Sequence, residues 1–372
     1  MGEVANIPQL RFPEFSNEWE ESKVGKVFKV SAGGDIKTEN VSQIKTDGFP
    51  YPIYANAEKA KGLYGYSNLY KSEANVVTVA GRGVNIGIAH VRLEPFYPIV
   101  RLLVLNPIKD ADVKFWENQL NQLNLFVEST GVPQLTAPQI SSYKVKYPSK
   151  PEQQKIAAFL TAVDNKIEQL SKKQELLGEY KKGLMQQIFS QAIRFKADDG
   201  SDFPDWEEKK LGSLCEITTG KLDANAMVKD GQYRFYTCAK EYYKIDDYAF
   251  DTDALIVSGN GANVGYIHHY QGKFNAYQRT YVLDSFTDNI VFVKFVLDGY
   301  LHKRIMKEKN EGNTPYIVMG TLTDMKINLP SFSEQTKISN FLSSIDNKIE
   351  QVGKQLDESK QFKKALLQQM FV

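Results

Sequence analysis

From Pro151 onward, apolar residues return at steps of four and three: Ile156, Leu160, Val163, Ile167 and Leu170, then Leu177, Leu184 and Ile188. Gln174 and Lys181 fill two places in this seam. A second run repeats it: Ile338, Leu342, Ile345, Ile349, Val352, Leu356, Leu366 and Met370, with Ser359 and Lys363 in the gaps. A stripe near 3.5 residues per repeat, flanked by Lys, Glu and Gln, predicts a coiled-coil helix. Each helix would run for about 36 residues, or roughly 54 Å at 1.5 Å per residue. A lone helix with such a stripe is marginal in water and needs a partner. The expected partner is its own copy; the alternative is that each stripe docks on its own globular module.

Ahead of each helix the pattern is mixed. Asn75-Val76-Val77-Thr78-Val79 and Ala254-Leu255-Ile256-Val257-Ser258 read as short strands. Each runs into G-x-G-x-N-x-G and resumes as Ile88-Ala89-His90-Val91 or Tyr266-Ile267-His268, a hairpin signal. Phe115 to Glu128 and Val291 to Lys309 read as helices. Val145 to Pro148 and Ile327 to Pro330 read as closing strands ended by proline. The fold class is therefore α+β, with two mixed α/β modules in tandem, each followed by a long helix, and the two helices pairing as an antiparallel coiled coil. The divisions fall at 1–150, 151–193, 194–331 and 332–372.

The chain is one plan written twice. Phe12-Pro13 and Trp19-Glu20 return as Phe203-Pro204 and Trp206-Glu207. Gly81 to Gly87 aligns with Gly259 to Gly265, and the same offset pairs His90 with His268 and Arg101 with Arg279. Asp164-Asn165-Lys166-Ile167-Glu168-Gln169 recurs unchanged at Asp346 to Gln351. The helices match more closely than the modules. One job done twice by the helices, and two versions of a job done by the modules, would produce that difference.

Composition alters this picture little. The 372 residues carry 46 basic and 45 acidic side chains, a net charge of +1. A nucleic-acid binder usually shows a basic excess, so any polyanion contact must come from local patches. Cys215 and Cys238 are read as free thiols in a reducing compartment. The start MGEVANIPQLRFPEF lacks a signal-peptide pattern, and no run of about 18 apolar residues occurs. The expected location is the cytoplasm.

Catalytic motifs are not recognisable. Strand follows each glycine loop where a dinucleotide fold needs a helix. Pro204-Asp205 with Glu207-Glu208-Lys209 resembles a nuclease metal site, but its acids are nearly adjacent rather than converging from separate strand positions. His90, His268, His269 and His302 show no metal spacing, and strand packing is expected of His90 and His268. What remains is basic, amide and aromatic surface. Arg and Lys suit guanine or phosphate, and Asn and Gln suit adenine. The candidate DNA contacts are Lys37, Lys59, Lys61, Arg82, Asn85 and Arg101 in the first module, and Lys221, Arg234, Lys240, Asn260, Asn263, Gln278 and Arg279 in the second.

Together these residues resemble the specificity subunit of Type I restriction–modification enzymes. The features are F-P near each module start, the G-x-G-x-N-x-G loop, and P-S-x-x-E-Q-x-K-I-x-x-F-L-x-x-[VI]-D-N-K-I-E-Q at Pro148–Gln169 and Pro330–Gln351. The resemblance covers essentially the whole chain. It implies two target recognition domains, each reading half of a bipartite double-stranded DNA site. The helices would act as spacers and dock two modification subunits, through Ile156, Leu160, Val163, Ile167 and Leu170 and through Ile338, Leu342, Ile345, Ile349 and Val352. Restriction subunits would join them. S-adenosylmethionine, ATP and Mg²⁺ would sit on those partners and none on this chain, which would be non-catalytic. A two-headed protein-binding adaptor is the competing reading.

Overall fold

The computed structural model describes residues 6–57, 59–123, 125, 134–308 and 315–372, the Lys59 side chain excepted. The predicted helical residues 124, 126–128 and 309 lie outside these. The chain forms two compact units. The first holds residues 1–171 and 354–372, and the second holds 172–353. Each unit is thus a module with the start of the long helix that follows it and the end of the other one.

In the first unit the strands Phe28–Ala32, Leu103–Pro107, Val76–Val79 and Ala89–Arg92 form an antiparallel sheet in that order. A second sheet orders Val41–Ser42, Leu63–Ser67, Tyr51–Tyr54 and Tyr97–Pro98, the last pair parallel. In the second unit the corresponding strands make one sheet: Glu216–Thr219, Thr280–Asp284, Phe250–Ser258, Ile267–Ala276, Tyr233–Tyr236 and Tyr243–Ile245. The ten-residue strand Ile267–Ala276 serves both halves of it. Its first-unit counterpart is interrupted between Arg92 and Tyr97, where Pro95 has no N–H to give to a ladder.

The hairpins fall where alternation placed them. Val76–Val79 pairs with Ala89–Arg92, and Phe250–Ser258 pairs with Ile267–Ala276, each across a glycine loop. The closing strands Lys144–Tyr147 and Lys326–Leu329 pair with Glu20–Lys23 and Glu207–Lys210. The module helices are Val113–Asn121 and Ile290–Glu308. They begin earlier than their apolar pattern because Asp112 and Asn289 cap them: Asp112 Oδ1 accepts from Lys114 N and Phe115 N, and Asn289 Oδ1 from Val291 N and Phe292 N, all at 3.0–3.1 Å.

The long helices are Lys150–Phe189, 40 residues, and Phe332–Met370, 39 residues, or roughly 60 Å each. Within each unit they run antiparallel. In the first, Lys363 reaches Asp164 at 2.6 Å, and Leu366, Met370 and Phe371 share the module core with Ile156, Ala157 and Leu160. In the second, Lys181 reaches Asp346 at 2.6 Å, and Ile188 and Phe189 share a core with Ile338, Leu342 and Ile345. The seam lysines thus pair with the aspartates of the repeated D-N-K-I-E-Q, the two roles exchanged between helices. Burial is divided between the two outcomes weighed from sequence: Ile156, Leu160, Ile338, Leu342 and Ile345 dock on their own module while the far end of the other helix docks beside them. Val163, Ile167 and Ile349 are half-buried, and Leu170 and Val352 are buried.

The E-Q pair of the repeated motif fastens each helix to its module. Glu152, with a side chain 2% exposed, accepts two hydrogen bonds from Arg11, both at 2.7 Å, and one from the Trp19 indole at 3.4 Å. Glu334 accepts from Arg194 at 2.9 and 3.3 Å and from the Trp206 indole at 3.1 Å. Beside them Gln153 and Gln335 donate to the carbonyls of Pro148 and Pro330, both at 2.9 Å. Their Oε1 atoms accept the backbone N–H of the caps Asp112 (3.1 Å) and Asn289 (3.0 Å). One dipeptide ties together the module's opening turn, its helix cap and its closing strand.

Candidate nucleic-acid interface

In each unit the loops at one end of the main sheet close on one another. In the second unit Gly259 N donates to Arg279 O at 2.9 Å, and a Cβ on Gly259 would lie 2.2 Å from that oxygen. Only glycine permits this approach. Cys238 Sγ lies 3.4 Å from the same carbonyl, and Asn263 Nδ2 donates to Cys238 O at 3.1 Å. Gln278 N donates to Leu222 O, and its side chain to Asp223 Oδ1 at 2.8 Å. Lys221, Asn260, Asn263, Gln278 and Arg279 are brought together in this way, with Lys240 two residues beyond Cys238. Asn263 and Gln278 each use one amide N–H inside the chain and so help to hold the loops in place, the second N–H and the oxygen being left over. Lys221, Lys240 and Arg279 are exposed.

The first unit builds the same closure from other side chains. Asn56 Oδ1 accepts from Gly81 N at 2.8 Å, and its Nδ2 donates to Val100 O at 2.6 Å. Asn56 therefore takes the place of Cys238. Arg101 N donates to Gly33 O at 3.1 Å. Val100 and Arg101 both hold left-handed backbone (φ 51° and 57°), a conformation costly for a β-branched residue. Arg82 is drawn aside to Gln134 Oε1 at 3.1 Å. Asn85 lies in the loop, half-buried, and its carbonyl accepts from Ile88 N at 3.1 Å. Lys37 is exposed beside Glu39 at 3.7 Å. Lys59 and Lys61 lie in the turn Lys59–Gly62, with Lys61 at φ 53°.

Charge is distributed accordingly. Among the described residues no salt bridge engages Arg101, Lys221, Lys240 or Arg279; the same holds for some lysines elsewhere, such as Lys29, Lys146 and Lys182, while others pair with carboxylates, as in Lys144–Glu21 and Lys326–Glu208. A net charge near zero thus conceals cations left without partners at the loop ends. Sequence reasoning passed over Arg92, which is 4% exposed and stacks 3.6 Å above the Tyr54 ring. It donates to Thr78 Oγ1 at 3.0 Å and to Lys61 O at 2.7 Å. Burial lowers its pKa. It is an internal strut holding the Lys59–Gly62 turn.

The two equivalent histidines differ. His90 Nδ1 lies 3.6 Å from Glu117. His268 Nε2 meets Ala239 O at 3.1 Å, and burial lowers its pKa. Glu207, Glu208 and Lys209 lie along one exposed strand, and Asp205 lies 3.7 Å from Arg194. Among the described residues no group of His, Cys, Asp or Glu is placed to hold a metal ion. No helix among them is long and apolar enough to cross a membrane.

Known proteins share this organisation. The family model of the Type I restriction modification DNA specificity domain matches twice, at residues 16–177 and 204–359. The EcoDI specificity subunit of Escherichia coli is 42% identical over 168 residues, which span 44% of this chain and 37% of that one. The MjaVIII specificity subunit of Methanocaldococcus jannaschii is 26% identical over 302 residues, 72% of this chain and 71% of its own. In fold, the S subunit of a Type I system from M. genitalium superposes with a TM-score of 0.71 at 19% identity, covering 98% of this chain and 99% of that one. With the family model matching both modules and most of both helices, the chain belongs to the Type I restriction–modification specificity family.

Proposed function

We propose that this chain is the non-catalytic DNA-reading subunit of a cytoplasmic Type I restriction–modification assembly, each unit reading one half of a split double-stranded site. One observation carries the reading. Both units close the same sheet-end loops on the same backbone frame, leave cations there without partners, and fill the frame with different side chains. Shared backbone with changed donors and acceptors is what reading two different half-sites requires. The repeated helices offer two equivalent docking surfaces, one for each of two modification subunits. Restriction subunits complete the assembly. S-adenosylmethionine, ATP and Mg²⁺ belong to those partners in this reading.

The test is co-expression with a modification subunit, followed by mapping of methylated adenines across a genome. A split motif is expected, and exchanging residues 1–150 for those of a relative changes one half only. No methylation, one continuous motif, or a change in both halves would overturn the reading.

A further inference from the structure

Arg234 stands on the strand Tyr233–Tyr236, enclosed by tyrosines. Its guanidinium carbon lies 4.2 Å from the Tyr270 ring centre and 4.4 Å from that of Tyr242, and Nη1 donates to Tyr236 OH at 3.2 Å. That hydrogen bond, foremost, raises its pKa further. Among the described residues it has no carboxylate partner, and it remains half-exposed. An arginine has five N–H donors; one is used here. The aromatic enclosure joins the loop cluster directly. Tyr242 closes the loop whose carbonyls at Cys238 and Ala239 engage Asn263 and His268, and the His268 ring lies 4.9 Å from Tyr236.

The first unit is built otherwise. Tyr51-Pro52-Ile53-Tyr54 is the counterpart of Tyr233-Arg234-Phe235-Tyr236, each strand pairing parallel with its neighbour, so Pro52 stands where Arg234 does. The arginine on that side comes from the adjoining strand, as Arg92 in the place of Tyr270, and it is buried and already bonded.

We infer that Arg234, held by Tyr236, Tyr242 and Tyr270, is a specificity-determining residue that reads the O6/N7 edge of one guanine in the half-site of the second unit, with no counterpart in the first. This rests on the DNA-reading function proposed above. Backbone phosphate is satisfied by a mobile cation from many directions, and lysine serves. Two coplanar acceptors on a base edge are matched better by a guanidinium whose plane is fixed beforehand than by an ammonium on a flexible stem. Ring contacts supply that constraint while leaving N–H groups free.

The assembled complex with its modification subunit tests this on duplexes carrying 7-deazaguanine at one guanine of the second half-site at a time. At one position the wild type should lose about tenfold to a hundredfold in affinity, the scale of a good bidentate base contact. Arg234→Lys should lose as much on the natural duplex, show no further loss with 7-deazaguanine at that position, and accept other bases there in a methylation map. Retention of the first half of the motif shows that the variant is folded. Tyr242→Ala should lose part of the same discrimination. The inference is overturned if no position couples to Arg234, or if the second half-site lacks guanine. It is also overturned if Arg234→Lys weakens all duplexes alike and lowers the salt slope by about one, the mark of a phosphate contact. A wild-type complex that methylates no split site would overturn the underlying reading, and this one with it.

Discussion

Glu152→Ala tests whether the E-Q dipeptide is the fastening of helix to module. The substitution strands Arg11, whose side chain is 11% exposed, in the space left by a carboxylate that is 2% exposed. Removing one partner of a buried pair costs about 3–5 kcal/mol, and the lower end is expected here, because Arg11 keeps its hydrogen bond to the Asn17 carbonyl at 2.6 Å and borders an open cleft. The indole bond of Trp19, at 3.4 Å, is long and adds little. In the second unit Arg194 is 25% exposed and has Asp205 at 3.7 Å. Water and a second carboxylate relieve it, so Glu334→Ala should cost less, about 2–3 kcal/mol. Glu152→Gln keeps an acceptor and the shape, and should cost about 1–2 kcal/mol. Urea unfolding with the slope held constant measures all three. For the two Glu152 variants a Trp206→Phe reference lets fluorescence report the first unit through Trp19 and Trp116, and for Glu334→Ala a Trp19→Phe/Trp116→Phe reference lets Trp206 report the second. The double variant Arg11→Met/Glu152→Met should be more stable than Glu152→Ala alone. The reasoning fails if Glu152→Ala lies within about 1 kcal/mol of the reference, or if the double variant is the less stable.

Gly259→Ala puts a methyl group against the Arg279 carbonyl and should cost about 3 kcal/mol by overpacking and impair reading of the second half-site. Gly261→Ala meets open space at φ 78° and should cost about 1 kcal/mol; urea midpoints of the two variants check the order. His268 has its pKa lowered by burial against an unfolded value of about 6.5. Protons therefore favour the unfolded chain, and its contribution is complete above about pH 6.5 and lost as pH falls further. Unfolding free energies at neutral and mildly acidic pH should show a smaller acid loss in His268→Gln than in the wild type.

The long helices were legible because one stripe recurs over ten turns and is then repeated. The hairpins were legible because alternation breaks at glycine. The clamp residues Arg11 and Arg194 were not, since they lie 183 residues apart while the helical motif keeps 182 and the tryptophans 187. A partner of conserved chemistry thereby fell out of register with both blocks. The tyrosine enclosure of Arg234 was invisible for a different reason. Its members come from two strands and a loop, and which of them meet depends on cross-strand pairing. Arg82 and Gln278 were chosen for their chemistry, and sequence could not show that Gln134 and Asp223 already engage them.

The division of each unit's core between distant stretches of chain sets an order of events during synthesis. Trp19 and Phe115 await Phe371, whose ring stacks on Phe115 at 5.4 Å and meets Trp19 edge-on at 6.1 Å. Residues 354–372 leave the ribosome roughly 200 residues after residue 171, a delay on the order of 10–40 s. For that interval the first module carries an open apolar slot of aromatic rings. The second module meets no such wait for Ile188 and Phe189, which precede it. A released chain ending at Gly353, which holds all of the second unit and lacks residues 354–372 of the first, should therefore hold chaperones on its first module and not on its second.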